Sequence, residues 1–283
     1  MVNESPDTRP HRRIRPTRRG RLLLLIAAVL VLGVAAAVLV PLLTREPKTT
    51  EQARSLVIPE GWRASQVYAA ADKALGEPAG TTEKAVATAD LPLPAEAKGN
   101  PEGYLFPATY PVTSRTTPKS LLRYMVDTAR SRFGADHITA GAQRNNVTVY
   151  QTVTIASIVQ AEADTAPDMG KVARVIHNRL DRGMPLQMDS TLNYALNRST
   201  LDTTTGDTKT DSPYNGYAHK GLPPTPIGNP GEQAMVAAIS PAPGPWLYFV
   251  TVAPGDTRFT DDYAEQQRNV AEFNRNRRSA DTG

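Results

Sequence analysis

No cysteine occurs in the 283 residues, so a structural disulfide, a thiolate metal site and a cysteine nucleophile are all excluded. Histidine is almost as scarce. The four, His11, His137, His177 and His219, form no short HxxxH pair, so a zinc site would have to be assembled from distant partners and no metal site is expected. No glycine-rich phosphate loop follows a strand pattern, and no GxSxG elbow is present. No serine sits at a strand-to-helix turn beside an evident base. These absences leave nucleotide-dependent chemistry, α/β-hydrolase chemistry and membrane-tethered proteolysis without support, and nothing in the pattern calls for a cofactor. Helical repeats and coiled-coil heptads are also missing.

Charge is distributed unevenly at one end. Residues 1–21 hold seven arginines against two acids, and Leu22–Leu43 then runs for 22 residues without a charge. At 1.5 Å per residue such a stretch spans a bilayer core. Arginine precedes it, and only Arg45 and Lys48 follow closely. The positive-inside rule therefore leaves residues 1–21 as a cytoplasmic tail and puts the chain from Thr44 outside the membrane. A cleaved signal peptide is the rival reading, but no clean small-x-small site is followed by a mature start. The basic tail is then explained by topology, and nucleic acid is not implied as a partner.

Beyond the span, Thr44–Ser55 reads as a polar stalk. A brief extended run at Leu56–Pro59 and a helix at Ser65–Lys73 follow, with one further short helix near Lys84–Thr88. Residues 44–100 are expected to form a stalk and a small subdomain, and residues 101–278 the main domain. Pro101–Tyr110, PEGYLFPATY, is a rigid, partly buried loop. Its aromatics, Tyr104 among them, either pack internally or line a cleft. Helices are expected at Thr117–Phe133, Val149–Asp164, Met169–Leu180, Glu232–Ser240 and from Asp261 or Asp262 to about Arg277. Ala166–Asp168 is read as a break, Trp246–Val252 as the best strand, Phe259 as its continuation, and 279–283 as a fraying tail. The fold class is α+β, helix-rich with a small sheet.

The chemistry concentrates near the central helix. Ile155, Ile158 and Val159 share one face, and Glu162 lies three residues after Val159 and four after Ile158. Glu162 is thus either a rim residue of a solvated helix or a partly desolvated acid that holds its proton near neutral pH, as a general acid must. Gln187 and Asp189 stand at alternate positions, so in an extended segment both point one way. They are either surface polar groups or a pair that hydrogen-bonds a sugar or N-acetyl group. Ser212–Gly231 is too rich in proline and glycine for a core helix or central strand. Within it Tyr214, Asn215 and Tyr217 offer the ring faces and amide groups that a sugar site uses.

Six segments together resemble a known family: EGYLFPATY at Glu102–Tyr110, ASIVQAEA at Ala156–Ala163, VIHNRLDRGMPLQMDSTLNY at Val175–Tyr194, SPYNGY at Ser212–Tyr217, GLPPTPIGNPG at Gly221–Gly231, and WLYFV followed by GDTRF. Their order and spacing are similar to those of endolytic murein transglycosylases of the MltG (YceG-like) type, and the Ala/Arg-rich style suggests an actinobacterial member. The resemblance implies a single-pass membrane anchor, a small, abbreviated LysM-like subdomain from Val57, and a helix-rich catalytic domain. It implies cleavage of the β-1,4 bond between N-acetylmuramic acid and N-acetylglucosamine in peptidoglycan, without water, leaving a 1,6-anhydro end. It makes Glu162 the catalytic acid and puts Gln187, Asp189, Tyr194, Tyr214 and Asn215 in the glycan cleft, with Tyr104 beside them. Peptidoglycan synthases are implied as partners only by the resemblance. This chain departs from the family pattern at Gln160, where many relatives carry an acid, and at Thr257 and Gln266, where relatives often carry histidines. A water-using muramidase and a non-catalytic peptidoglycan-binding protein remain as rivals.

Overall fold

The computed structural model describes residues 54–198, 204 and 206–281, together with 30, 33 and 37. The expected tail 1–21 and, apart from those three helical positions, the expected span 22–43 lie outside the described residues. No helix among the described residues is long and apolar enough to cross a membrane. Residues 52–283 form one unit by themselves.

The described residues are α+β, with helices in the majority and two small antiparallel sheets among them. Strand β1 (Arg54–Val57) is followed by helices α1 (Ala64–Leu75) and α2 (Thr81–Ala85). Strand β2 (Thr109–Val112) then returns to pair antiparallel with β1, Leu56 lying opposite Tyr110. This closes a βααβ unit. Leu56, Val67, Tyr110 and Val112 point inward from it and join the same buried cluster as the helices that follow.

Those helices are α3 (Pro118–Phe133), α4 (Asp136–Arg144), α5 (Val149–Glu162), α6 (Ala166–Asp181), α7 (Asp189–Ala195) and α8 (Glu232–Ile239). Strands β3 (Tyr248–Ala253) and β4 (Asp256–Thr260) form a hairpin, and α9 (Tyr263–Asp281) packs on β3. Gly255, at φ +80°, supplies the hairpin turn.

Helix α5 is the axis of the core. Thr148 caps it: its hydroxyl accepts from Gln151 N at 3.1 Å, and Gln151 Oε1 accepts from Thr148 N at 2.8 Å. The sequence pattern anticipates one apolar face, but α5 is buried all round from Thr152 to Val159, packed by α4, α6, α7 and α8. Its polar residues are compatible with burial because their hydroxyls bond within the helix: Thr152 donates to Thr148 O, Thr154 to Tyr150 O and Ser157 to Thr154 O. Ile155, Ile158 and Val159 are fully enclosed, and each such side chain stabilises by roughly 1.5–3 kcal/mol. Gly141 lets α4 approach α8 closely, since a Cβ there would fall 2.5 Å from Ile239 Cβ.

Three sequence expectations are corrected. Ala166–Asp168 does not break the chain. Thr165 caps α6 by accepting from Asp168 N, and Pro167 sits in the first turn, where its missing N–H leaves no helical bond unmade. Residues 183–194 are not extended throughout, because Asp189–Ala195 is helix α7. Helix α4 has no counterpart in the sequence reading, and α9 continues past Arg277 to Asp281.

Candidate active site

Helix α5 ends at Glu162 because Ala163 turns to an extended conformation, φ −146° and ψ 138°. This brings the Glu162 carboxyl to the start of α7, where Oε1 accepts from Ser190 N at 3.1 Å. Burial raises the Glu162 pKa above the ordinary carboxyl value. The Ser190 hydrogen bonds oppose that rise, and the Asp189 charge adds to it. The residue keeps partial contact with solvent. Ser190 Oγ is itself buried without a hydrogen bond of full geometry, although it lies near enough to Glu162 to favour the ionised carboxylate.

Asp189 is held beside this acid by Tyr217, whose hydroxyl donates to Asp189 Oδ1. Burial raises the Tyr217 pKa first, followed by that bond and by the charges of Asp189 and Glu162. A buried guanidinium shapes the preceding turn. Arg179 Nη1 donates to the carbonyls of Pro185 at 3.0 Å and Leu186 at 2.8 Å and to Gln187 Oε1 at 3.1 Å, while Nε donates to Leu247 O at 2.6 Å. Gln187 adopts a left-handed backbone, φ +53°, and its N–H donates to Gly216 O. The 185–189 turn and the 214–217 loop are thereby joined beside Glu162.

Gln187 and Asp189 do not share a direction through strand alternation, as the sequence pattern suggests. Gln187 is exposed in the turn with its carbonyl on Arg179, and Asp189 opens α7 with its carboxylate on Tyr217. Tyr194, one turn along α7 from Ser190, stacks obliquely on Tyr214 with centroids 4.9 Å apart. The Tyr214 hydroxyl bonds Thr225 Oγ1 at 2.9 Å. Tyr104 lies in the core, 3% exposed, packed between Phe133 and Tyr150. Asn215 is fully enclosed, its amide donating to Thr208 O and Thr210 O and its carbonyl accepting from Tyr217 N. Both residues support the loops instead of facing an open surface. His177 is buried, with Nε2 3.0 Å from Ala238 O.

Among the described residues two carboxyls have their pKa raised by burial, and the sequence pattern singles out one. Glu102 is 4% exposed, and burial pushes its pKa up to about 7 against the hydrogen bonds and the Arg63 charge that favour ionisation. It accepts from Ala64 N at 2.9 Å and from the Tyr194 hydroxyl at 3.1 Å. Its place in the EGYLFPATY segment is visible in the sequence, but its partners are remote. Thr257 and Gln266 lie in the C-terminal hairpin layer. Thr257 bonds Thr251 across the hairpin, and Gln266 donates to Phe249 O. A cavity of about 650 Å³ opens at the opposite end of α5, lined by Thr148, Tyr150, Gln151 and His177 among others, and does not include Glu162.

The family model described as the YceG-like family matches residues 32–272. The chain is 36% identical over 168 residues to the endolytic murein transglycosylase of Bacillus subtilis, covering 59% of this chain and 46% of that protein. It is 37% identical over 177 residues to the endolytic murein transglycosylase of Streptococcus pneumoniae serotype 2, covering 60% of this chain and 32% of that protein. The chain thus spans less than half the length of these curated relatives. Among solved structures it is similar to a 2.6 Å crystal structure of a yceG-like protein from Listeria monocytogenes, with a TM-score of 0.64 and 28% identity over 76% of this chain and 75% of that one. A match running from residue 32 to residue 272, over the helices that position Glu162 and on through the C-terminal hairpin, means that the chain belongs to the YceG-like family.

Proposed function

We propose that the chain is an endolytic lytic transglycosylase of peptidoglycan, with Glu162 as its single acid and base. The observation that carries this reading is the Glu162 carboxyl itself. It stands at the end of a buried helix, is desolvated so that its pKa is raised, and still touches solvent beside Asp189, Ser190 and Tyr217. Family membership and the names of the relatives support it.

Protonated Glu162 donates its proton to the glycosidic oxygen between N-acetylmuramic acid and N-acetylglucosamine, and the C1–O bond breaks. The carbonyl oxygen of the substrate's own N-acetyl group meets the charge developing at C1. Glu162, now ionised, takes the proton of the C6 hydroxyl as O6 closes on C1. The acid returns to its starting state and the strand ends in a 1,6-anhydro sugar. A hydrolase needs a second carboxyl to activate water or to attack; here the substrate fills that role. The Ser190 N–H stabilises the carboxylate formed midway, and Asp189 keeps the resting proton in place by disfavouring a second nearby negative charge. Gln187 and Asp189 offer polar groups to the glycan, and the Tyr194 and Tyr214 rings offer it apolar faces.

The same proposal includes the rest of the chain. The order β1-α1-α2-β2 with antiparallel strands supports a LysM-like unit. The uncharged stretch 22–43 would anchor the enzyme in the cell membrane with the catalytic region outside, near emerging strands and their synthases. The test is Glu162→Gln in the full chain. Cleavage of purified glycan strands is expected to fall by at least about a thousandfold, within the range that general acid catalysis contributes, while strand binding persists. Undiminished cleavage by the variant overturns the assignment of Glu162, and strand binding without turnover by the wild-type chain favours a non-catalytic role.

A further inference from the structure

The second buried acid, Glu102, is not used by the reaction above, yet it lies one helical turn from it. Its Oε1 accepts from Ala64 N, the first amide of α1, at 2.9 Å. Arg63, the residue before α1, offers no oxygen to cap that helix, so the Glu102 carboxylate serves in its place. Its Oε2 accepts from the Tyr194 hydroxyl at 3.1 Å. The Arg63 guanidinium lies over the Tyr194 ring, 5.1 Å from its centroid, and donates to Arg198 O at 2.8 Å just past α7. The first helix of the βααβ unit and the last turn of α7 are therefore tied to a single side chain.

Helix α7 carries the connection onward. Ser190 and Tyr194 are four residues apart, on one face of the helix and about 6 Å apart along its axis. One end of that face donates to Glu162 and the other to Glu102. A seven-residue helix holds little stability of its own, so its placement depends on such tertiary ties. We infer that Glu102 is a positioning residue: through Tyr194 it fixes α7 so that the Ser190 amide stays on Glu162, and it thereby couples the βααβ unit to the catalytic acid. The inference rests on the transglycosylase reading of Glu162.

The test compares the full-length wild-type chain with Tyr194→Phe, Glu102→Gln and the double variant. Tyr194→Phe removes only the hydroxyl, so it leaves the cap on α1 and the net charge intact. Glutamate labelled with ¹³C at Cδ lets Glu162 be titrated directly, with Glu162→Gln assigning its signal. Loosening Ser190 from a carboxylate it stabilises moves the Glu162 titration upward in Tyr194→Phe. It also lowers kcat roughly tenfold to a hundredfold, the scale of misplacement effects. The double variant falls no further than the worse single one, because both act on the same Glu102–Tyr194 hydrogen bond. An active wild type whose Glu162 titration is unmoved by Tyr194→Phe, or losses that multiply in the double variant, overturns the inference alone. A wild-type chain that makes no anhydro-ended product overturns the transglycosylase reading and the inference with it.

Discussion

Two carboxyls of this chain are pushed toward neutrality by the same cause, burial, but only one could be found by reading residues in order. Glu162 follows an apolar helical repeat and lies in a family segment, and a desolvated acid there is visible from spacing. Glu102 was legible only as part of a rigid loop, because the groups that define it, Ala64 N and the Tyr194 hydroxyl, lie 38 and 92 residues away. Gln187 and Asp189 were legible as polar groups near the site but not in their directions. Those are set by the left-handed turn at Gln187 and by the remote Arg179 and Tyr217. The raised Glu102 pKa has a consequence for stability. The folded chain holds this proton more tightly than the unfolded chain, so the contribution is fully present below about pH 4.5 and is lost as pH rises through about 7. A displacement of that size corresponds to about 3 kcal/mol. Glu102→Gln removes the titration, so its stability relative to wild type should improve by about that amount between pH 4.5 and pH 8. Denaturant midpoints at the two pH values measure it, and equal pH slopes for both proteins would contradict the account.

Among the elements, α3, α5, α8 and the β3–β4 hairpin were legible because periodicity, caps and bulky runs agree there. Helix α4 was not, since its small residues Ala140, Gly141 and Ala142 carry little pattern. The smallness of Gly141 is a tertiary requirement, set by the close passage of α8. Gly141→Ala makes that requirement measurable. Alanine favours a helix over glycine by about 1 kcal/mol, but its Cβ would sit 2.5 Å from Ile239 Cβ, and overpacking of this kind costs about 1–3 kcal/mol. The clash should prevail, leaving the variant about 1 kcal/mol less stable in chemical denaturation, whereas a gain would mean that the two helices can separate freely. The cap of α5 gives a second check at this scale. Thr148→Ala removes the acceptor for Gln151 N and should cost about 1 kcal/mol, with the loss read from the same unfolding curves.

At the scale of the whole molecule, one side chain ties segments that the sequence keeps far apart. Asn229 is fully enclosed. Its Oδ1 accepts from Leu105 N at 2.7 Å, its side-chain amide donates to Trp62 O at 2.8 Å, and its backbone carbonyl accepts from Gly61 N at 2.8 Å. The 212–231 loop, irregular by composition, is in this way fastened to both the βααβ unit and the 101–106 loop, whose buried residues belong to the same core cluster. Asn229→Ala leaves a buried N–H without its acceptor and should cost about 1–3 kcal/mol. Near-ultraviolet and far-ultraviolet signals of residues 52–283 should still fall in one transition, and two separated transitions would show that the units are held independently. The helix-rich class was legible in outline, while strand β2, which lies at the end of a segment read as a loop, and this cross-chain fastening were not, because no local pattern records a partner 124 or 167 residues distant. The central claim is that a lone acid held between α5 and α7 cuts glycan strands without water. The measurement that meets it most directly is the mass of the chain ends released when the full-length protein digests purified, uncrosslinked strands. The account predicts new 1,6-anhydro ends, lighter than reducing ends by one water and absent with Glu162→Gln; reducing ends, or anhydro ends that persist in that variant, would contradict it.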